Sequence, residues 1–146
     1  MTDRFRVYSA VFLILRKDDQ VLLHRRRNSG YYDGSYGLVS GHIDGNEPFI
    51  EALQREAKEE AGIRVGQKDV RFVHAMHRSS PDDGREYVDM FFEATTWRGE
   101  PQNMEPHKCD ELSWHPLDNL PDNIVPSVKA ALENYRKGEC YTEFGW

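Results

Sequence analysis

The amino-acid sequence predicts an α/β fold in which a mixed β-sheet lies between helices. Short runs rich in β-branched and aromatic residues alternate with two amphipathic helical patterns, and polar or Gly-rich turns separate them. The chain has 146 residues, of which 38% are hydrophobic. A chain of this size and composition is expected to form one compact domain over residues 1–146.

Five segments are predicted to be strands because β-branched and aromatic residues recur in them. They are residues 6–15, 20–24, 37–40, 70–78 and 86–97. The first two are joined by a short charged turn and should form a hairpin. The last two flank the sequence SSPDDG, whose Asp83 and Gly84 favour a tight reversal. The apolar part of the first segment is too short to cross a membrane.

Two segments are predicted to be helices. The first spans 47–61, because Asn46 suits an N-cap, Pro48 is tolerated in a first turn, and Gly62 suits a left-handed C-terminal cap. Its apolar stripe consists of Ile50, Leu53, Ala57 and Ala61. The second helix spans 124–137, and one of its faces carries Val125, Val128, Leu132 and Tyr135.

The first helix carries three carboxylates on one patch of its surface. Glu56, Glu59 and Glu60 stand at i, i+3 and i+4, so they repel one another. A divalent cation such as Mg²⁺ would supply the missing positive charge. The alternative for such a Glu-Glu pair is a solvated charged face. Gly41, which can aim a carbonyl at the patch, and Arg55, which can orient a carboxylate, favour the metal site.

The segment from Gly41 to Ile63, GHIDGNEPFIEALQREAKEEAGI, resembles the signature of the Nudix hydrolases at every position. That family cleaves nucleoside diphosphates linked to a further moiety. The resemblance implies an α/β/α sandwich with a mixed β-sheet, and Mg²⁺ or Mn²⁺ as the cofactor. It also implies that Arg55 orients Glu56, and it leaves the general base open among the carboxylates. The metal ligands it implies are Glu56, Glu59, Glu60 and the carbonyl of Gly41.

Three residues outside this segment match positions of the MutT-like branch of the family. Arg25 would touch a substrate phosphate, and its alternative role is part of a solvated basic cluster. Glu105 would be a further metal ligand, and its alternative role is to cap a turn with Asn103. Asn123 would bind the base, and its alternative role is the N-cap of the second helix. Ser40 stands where many members carry Gly, which weakens any subfamily assignment.

The charge and the cysteine content limit which partners and which location are expected for the protein. The formal net charge of −6 argues against nonspecific binding along a nucleic acid. The resemblance implies a small nucleotide as the partner. No stable nucleic-acid or membrane binding is expected, and the protein is expected to be a monomer or homodimer. Cys109 and Cys140 form no metal-binding spacing, so a disulfide-free cytoplasmic protein is expected. The aromatic tail, with Tyr141, Phe144 and Trp146, is expected to dock onto the domain or a partner copy.

The expected activity is Mg²⁺-dependent hydrolysis of a nucleoside triphosphate or a related nucleoside diphosphate derivative. For a triphosphate, the resemblance to the MutT-like branch implies a nucleoside monophosphate and pyrophosphate as products. The first alternative is a pyrophosphatase for ADP-ribose or a nucleotide sugar, for which Pro81 has a suitable position but is explained by its turn. A second is a nucleotide-sensing domain without turnover, although such domains typically lack the carboxylates retained here. A third is isoprenoid diphosphate isomerisation, which would call for a catalytic Cys and Glu in the pocket, and Cys109 is the only candidate cysteine.

Overall fold

The computed structural model describes residues 2–146, so Met1 of the predicted domain lies outside the described residues. The helices are α1 (Phe49–Ala61) and α2 (Pro126–Arg136), and a short 3-10 helix spans Gln67–Asp69. The strands are β1 (Tyr8–Lys17), β2 (Gln20–Arg26), β3 (Tyr36–Gly37), β4 (Val39–His42), β5 (Val70–Ser79), β6 (Glu86–Ala94), β7 (Cys109–Pro116) and β8 (Tyr141–Phe144).

The β-sheet is mixed, as predicted, and β1 is its centre. β1 runs parallel to β6 on one side and antiparallel to β4 on the other. Its last residues turn into β2, with Arg16 opposite Val21, which confirms the predicted hairpin. The main strand order is β3-β2-β1-β6-β5-β8, while β4 pairs with β1 and β7 pairs with β2. The hairpin of β5 and β6 is antiparallel, also as predicted.

The two faces of the sheet bury two separate hydrophobic cores. Alternation along β1 sends Leu13 towards the core that contains Leu53 of α1, and Ile14 towards the core that contains Leu132 of α2. Phe92 and Phe91 of β6 divide in the same way. A helix therefore covers each face of the sheet, which confirms the predicted α/β/α sandwich.

Both helices begin later than predicted, and a proline sets each start. Asn46 does not cap α1: it has a left-handed φ of 58°, and the N-cap is Pro48, without a side-chain hydrogen bond. Because proline disfavours helical backbone in the residue before it, Glu47 stays outside the helix. α2 begins at Pro126 for the same reason. The predicted cap at Gly62 is confirmed, with φ of 67°. No helix within residues 2–146 is long and apolar enough to span a bilayer.

Two of the strands, β7 and β8, were not predicted from the sequence. β7 is half-buried at most of its positions, so it lacks the apolar alternation that marks a strand. β8 belongs to the aromatic tail and pairs in parallel with β5. The indole nitrogen of Trp146 donates a hydrogen bond to the carbonyl of His77 at 3.1 Å. The expected docking of the tail onto the domain is therefore confirmed.

We expect the buried side chain of His74 to stabilise the docking of this tail onto the domain. The side chain of His74 is 0% exposed, and its ring nitrogens contact Glu139 O and Thr142 Oγ1, each at 2.8 Å. Replacing His74 with Phe keeps the volume and loses both hydrogen bonds, so the free energy of unfolding should fall by about 1–3 kcal/mol in urea denaturation. Thr142→Val removes one bond and should cost about half as much. A His74→Phe protein within roughly 0.5 kcal/mol of the parent would contradict this role.

Candidate active site

One cavity of about 610 Å³ gathers most of the residues that the sequence singled out. It opens between α1, the central strands and the loop before β7. The predicted site residues in its wall are Gly41, Glu56, Glu59, Glu60 and Glu105. The grouping of the helix carboxylates on one patch is therefore confirmed, while their chemical roles stay predictions.

The patch depends on a close approach of β4 to α1. Gly41 lies in β4 opposite Val11 of β1, and the carboxyl group of Glu56 fills the space beside it. A Cβ atom at Gly41 would lie 2.6 Å from Cγ of Glu56 and closer still to its carboxyl carbon. Glycine is therefore needed at position 41 to leave room for Glu56, in addition to any role of its carbonyl.

Arg55 orients the outer side of the patch. Its Nη1 donates to Oε1 of Glu56 at 2.7 Å, and its Nη2 donates to Oε1 of Glu47 at 2.7 Å. The hydrogen bond that Arg55 donates to Glu47 makes the largest contribution to the raised pKa of Arg55. Nη1 also lies 3.7 Å from Oε2 of Glu59. Arg55 is thus placed to fix Glu56 as expected, with Glu47 holding the guanidinium from the other side.

Glu56 and Glu60 form a buried pair of carboxyl groups. The two groups face each other closely enough for a hydrogen bond when one is protonated. Burial raises the pKa of Glu60 well above its usual value, and the charge of Glu56 adds to this. Burial also raises the pKa of Glu56. The backbone N–H of Ser40 donates to Oε2 of Glu60 at 3.1 Å, so one oxygen of the pair is held by the chain itself.

His24 does not neutralise this pair. Its Nδ1 lies 3.9 Å from Oε1 of Glu60, but burial and the charge of Arg26 lower the pKa of His24 to about 4. The imidazole is therefore uncharged at neutral pH. The negative charge that Glu56 and Glu60 develop on ionisation needs a cation from elsewhere.

The loop before β7 brings Glu105 to the patch. The N–H groups of Gln102 and Met104 donate to the carbonyls of Ala61 and Glu60, so the loop satisfies the last turn of α1. The side chain of Asn103 accepts from the N–H of Glu105 at 3.0 Å, which matches the alternative role of a turn cap. Glu105 also lines the cavity, and its charge contributes to the raised pKa of Glu60. Both expected roles are thus compatible with its position.

The chemistry of these side chains suits a hard divalent cation. Carboxylate oxygens are the ligands that Mg²⁺ and Mn²⁺ take in proteins. Within residues 2–146, no three His, Cys, Asp or Glu side chains yet converge on one point that would enclose an ion. Glu56 and Glu60 are nevertheless in mutual contact and desolvated, and within residues 2–146 only Glu56 has a charged cationic partner, Arg55. Glu59 is exposed enough to turn towards them. The residues fit a cation that enters beside Glu56 and Glu60.

The structure places Arg26, instead of Arg25, at the cavity. His24 and Arg26 line it, and alternation along β2 sends the side chain of Arg25 elsewhere. There the Nε of Arg25 donates to Oδ1 of Asp110 at 2.6 Å. The expectation that Arg25 faces the site is therefore not met.

Asn123 neither caps α2 nor lines the cavity. Its Nδ2 donates to the carbonyl of Gly34 at 2.8 Å, and the N-cap of α2 is Val125. The cavity wall at this end is formed by Val125, Ser127 and Val128. The N-cap alternative is wrong because Pro126 moves the start of the helix past Asn123.

The far wall of the cavity contains a buried ion pair that the sequence did not reveal. Arg78 of β5 donates through Nε to Oδ2 of Asp89 at 2.7 Å and through Nη2 to Oδ1 at 3.3 Å. Asp89 is 1% exposed, and burial raises its pKa. The guanidinium lies 4.2 Å from the ring centroid of Tyr87. In the sequence, Asp89 was a sign of this pair, because it is a charged residue inside the apolar run of β6. Its partner, Arg78, could be identified only from the pairing of β5 with β6.

Cys109 is poorly suited to nucleophilic chemistry. The thiol donates a hydrogen bond to the carbonyl of Glu111, and burial raises its pKa. Nucleophilic attack requires the thiolate, which a raised pKa disfavours. Cys109 does line the cavity, so the isomerisation alternative, which calls for a cysteine in the pocket, stays a prediction.

Comparison with known proteins identifies the family. The model of the NUDIX domain matches residues 4–135. The NAD-capped RNA hydrolase NudC of Shigella dysenteriae is 27% identical over 125 residues, which cover 86% of this chain and 45% of that protein. This chain thus spans less than half the length of the NudC relatives. The ADP-ribose pyrophosphatase of Methanocaldococcus jannaschii is 33% identical over 124 residues, covering 81% of this chain and 69% of that protein.

Solved structures agree with this assignment. The crystal structure of a MutT NUDIX hydrolase from Burkholderia pseudomallei superimposes with a TM-score of 0.80 at 27% identity, over 88% of this chain and 98% of that one. The E. coli ORF135 protein has the same fold, with a TM-score of 0.73 at 23% identity over 90% of each chain. Fold and site together define an α/β/α sandwich with an acidic patch in the wall of its cavity. The chain belongs to the Nudix family of hydrolases, which act on phosphoanhydride bonds.

Gly41→Ala should lower phosphoanhydride hydrolysis by about 100-fold, because the new methyl group displaces the Glu56 carboxyl group from its position. Turnover per folded molecule is the measurement, with a thermal melt to establish folding. Gly37→Ala is the matched control: its Cβ would lie 3.5 Å from Nε2 of His24, an ordinary contact. The control should keep most of the activity. Equal activity in both variants would show that the position of Glu56 is unimportant.

Proposed function

We propose that the protein is a Mg²⁺- or Mn²⁺-dependent hydrolase of a nucleoside triphosphate, releasing a nucleoside monophosphate and pyrophosphate. The observation that carries this proposal is the buried carboxyl pair of Glu56 and Glu60 on a cavity of nucleotide size, in which Glu60 has no charged cationic partner among the described residues. Glu59 and Glu105 in the same wall support a cation there. The match to the MutT structure supports the nucleoside triphosphate.

The divalent cation would be held by Glu56, Glu59, Glu60, Glu105 and the carbonyl of Gly41. When bound, it would polarise the phosphate and lower the pKa of an attacking water. Arg55 holds Glu56 in one orientation, and the N–H of Ser40 does the same for Glu60. Glu56 or Glu59 accepts the proton of the water that attacks phosphorus.

Positive side chains on the opposite wall would hold the phosphates and the remainder of the substrate. Arg26 takes the phosphate-binding role expected of Arg25, because Arg26 lines the cavity while Arg25 is paired with Asp110. Arg78 is fixed by Asp89 and is available as a rigid donor. Asn123 would have to break its hydrogen bond to Gly34 before it could contact a base. Its position therefore gives only weak support for a role in base recognition.

A pyrophosphatase that acts on ADP-ribose or another dinucleotide-like substrate is the second candidate. It is favoured by the relatives, since one is named as an ADP-ribose pyrophosphatase and others as NAD-capped RNA hydrolases. A non-catalytic sensing domain is less well supported, because the carboxylates of α1 are all present at the cavity. A cytoplasmic location is part of the proposal, since Cys109 and Cys140 are free.

Product release should be measured with Mg²⁺ over a panel of nucleoside triphosphates, ADP-ribose, NAD and nucleotide sugars. We expect turnover of one class that falls by roughly 100-fold or more in Glu59→Gln and in Glu60→Gln. Glu51→Gln, an exposed change on the same helix outside the patch, should leave turnover unchanged. Turnover of ADP-ribose alone would select the second candidate. Nucleotide binding without any turnover would select the sensing domain.

The stabilisation by Mg²⁺ should grow as the pH rises. The raised pKa of Glu60 means that this group favours the folded state below its ordinary pKa of 4.5, and that the contribution is lost as the pH rises through the raised value. A cation replaces the lost proton, so the increase in Tm on adding Mg²⁺ should be larger at about pH 8 than at about pH 5. Thermal melts at constant ionic strength measure this.

The controls for this pH dependence are two isosteric variants. Glu60→Gln should remove most of the dependence, because the amide does not titrate. Glu51→Gln should retain it. If Mg²⁺ raised the Tm of the parent protein equally at both pH values, Glu60 would not be involved in cation binding.

A further inference from the structure

A second cleft, of about 710 Å³, lies along α1. Its walls are α1, the segment from Arg64 to Asp69, and residues 96–98 after β6. Arg55 belongs to its wall and also bonds Glu56, so the cleft begins beside the carboxylate patch without including it. No part of the proposed hydrolysis uses the remaining residues of this cleft.

The cleft concentrates unpaired positive charge in a chain that is acidic overall. Lys58, Arg64 and Arg98 line it, and all three are exposed. Among residues 2–146, none of these three side chains forms an ion pair with a carboxylate, whereas Arg55 and Arg78 do. Asp69 is the one acidic residue in the wall. The local charge is therefore opposite to the net charge of −6.

The backbone holds two of these cations side by side. Arg64 N–H donates to Arg98 O at 3.0 Å, and Arg98 N–H donates to Arg64 O at 2.9 Å. A pair that exchanges both hydrogen bonds has Cα atoms about 5.5 Å apart, and both side chains leave the same face. Like charges directly opposite each other are destabilising. A bound anion with several oxygens would relieve this repulsion.

An aromatic wall adjoins the cations. Trp97 lines the cleft and packs on Trp114, with ring centroids 5.8 Å apart and planes at 28°. The indole is therefore a fixed apolar surface beside a cluster of phosphate-binding side chains. Nucleotides combine a flat base with phosphate groups, and they are recognised by this combination of stacking and positive charge.

We propose that this cleft binds a 5′-phosphorylated nucleotide, with Arg64, Arg98 and Lys58 around the phosphate and Trp97 against the base. A free nucleotide and the 5′ end of a short strand present the same chemistry. This proposal does not rest on the proposed hydrolysis, because none of these four residues belongs to the carboxylate patch. A protein that hydrolyses nothing would still show it.

The test is calorimetric titration in EDTA, which removes cation-dependent binding at the carboxylate patch. The probes are AMP, a 5′-phosphorylated short oligonucleotide and the same oligonucleotide with a 5′-hydroxyl group. The double variant Arg64→Gln, Arg98→Gln should weaken binding of the phosphorylated probes by about tenfold or more. Lys129→Gln, an exposed change on α2, is the control for lost charge and should bind like the parent. Circular dichroism establishes that both variants fold.

The three probes separate the possible outcomes. Tighter binding of the phosphorylated strand than of AMP supports the cleft and identifies a strand end as its ligand. Equal binding of the two supports the cleft and identifies a free nucleotide. Equal binding of the phosphorylated and hydroxyl strands overturns the proposal. So does an affinity that the double variant leaves unchanged, or that Lys129→Gln lowers to the same extent, or the absence of binding by every probe.

Discussion

The close approach of β4 to α1 at Gly41 and Glu56 is the constraint on which the site depends. It presses the Glu56 carboxyl group into the space left by a missing side chain and brings it against Glu60. Two carboxyl groups that are buried together disfavour ionisation. The fold tolerates the pair because Arg55 bonds Glu56 and the Ser40 N–H bonds Glu60. The proposed cation would favour the ionised form of both groups.

The same helix performs two tasks on different faces. Ala52, Leu53 and Ala57 anchor α1 to one core of the sandwich, so its position relative to β1 and β4 is fixed by packing. The carboxylates project from the neighbouring face into the cavity. Its last turn is completed by the loop that carries Glu105, through hydrogen bonds from Gln102 and Met104. A residue more than forty positions away in sequence from Glu60 is thereby brought to the patch by the capping of a helix end.

Short-range patterns made much of the fold and the acidic patch predictable. The spacing of Glu56, Glu59 and Glu60 places them together on any helix, whatever surrounds it. The sequence alone could not show which of Arg25 and Arg26 faces the cavity. This depends on the register of β2 against β7, which shifts between these two residues. The pair of Arg78 and Asp89 likewise arises from pairing between strands. β7 and β8 were missed because their stability comes from their neighbours more than from their own apolar pattern.

The net charge of this protein does not show where its positive side chains concentrate. The overall charge of −6 is distributed unevenly, with carboxylates on one flank of α1 and unpaired cations at Arg64 and Arg98 beyond its C-terminal end. Arg55 connects the two regions, since it lines the basic cleft and bonds Glu56. Any phosphate that enters the cleft therefore acts on the same guanidinium that orients a carboxylate of the active site. The charges of the two regions are close enough to interact, so the charge of one influences ionisation in the other.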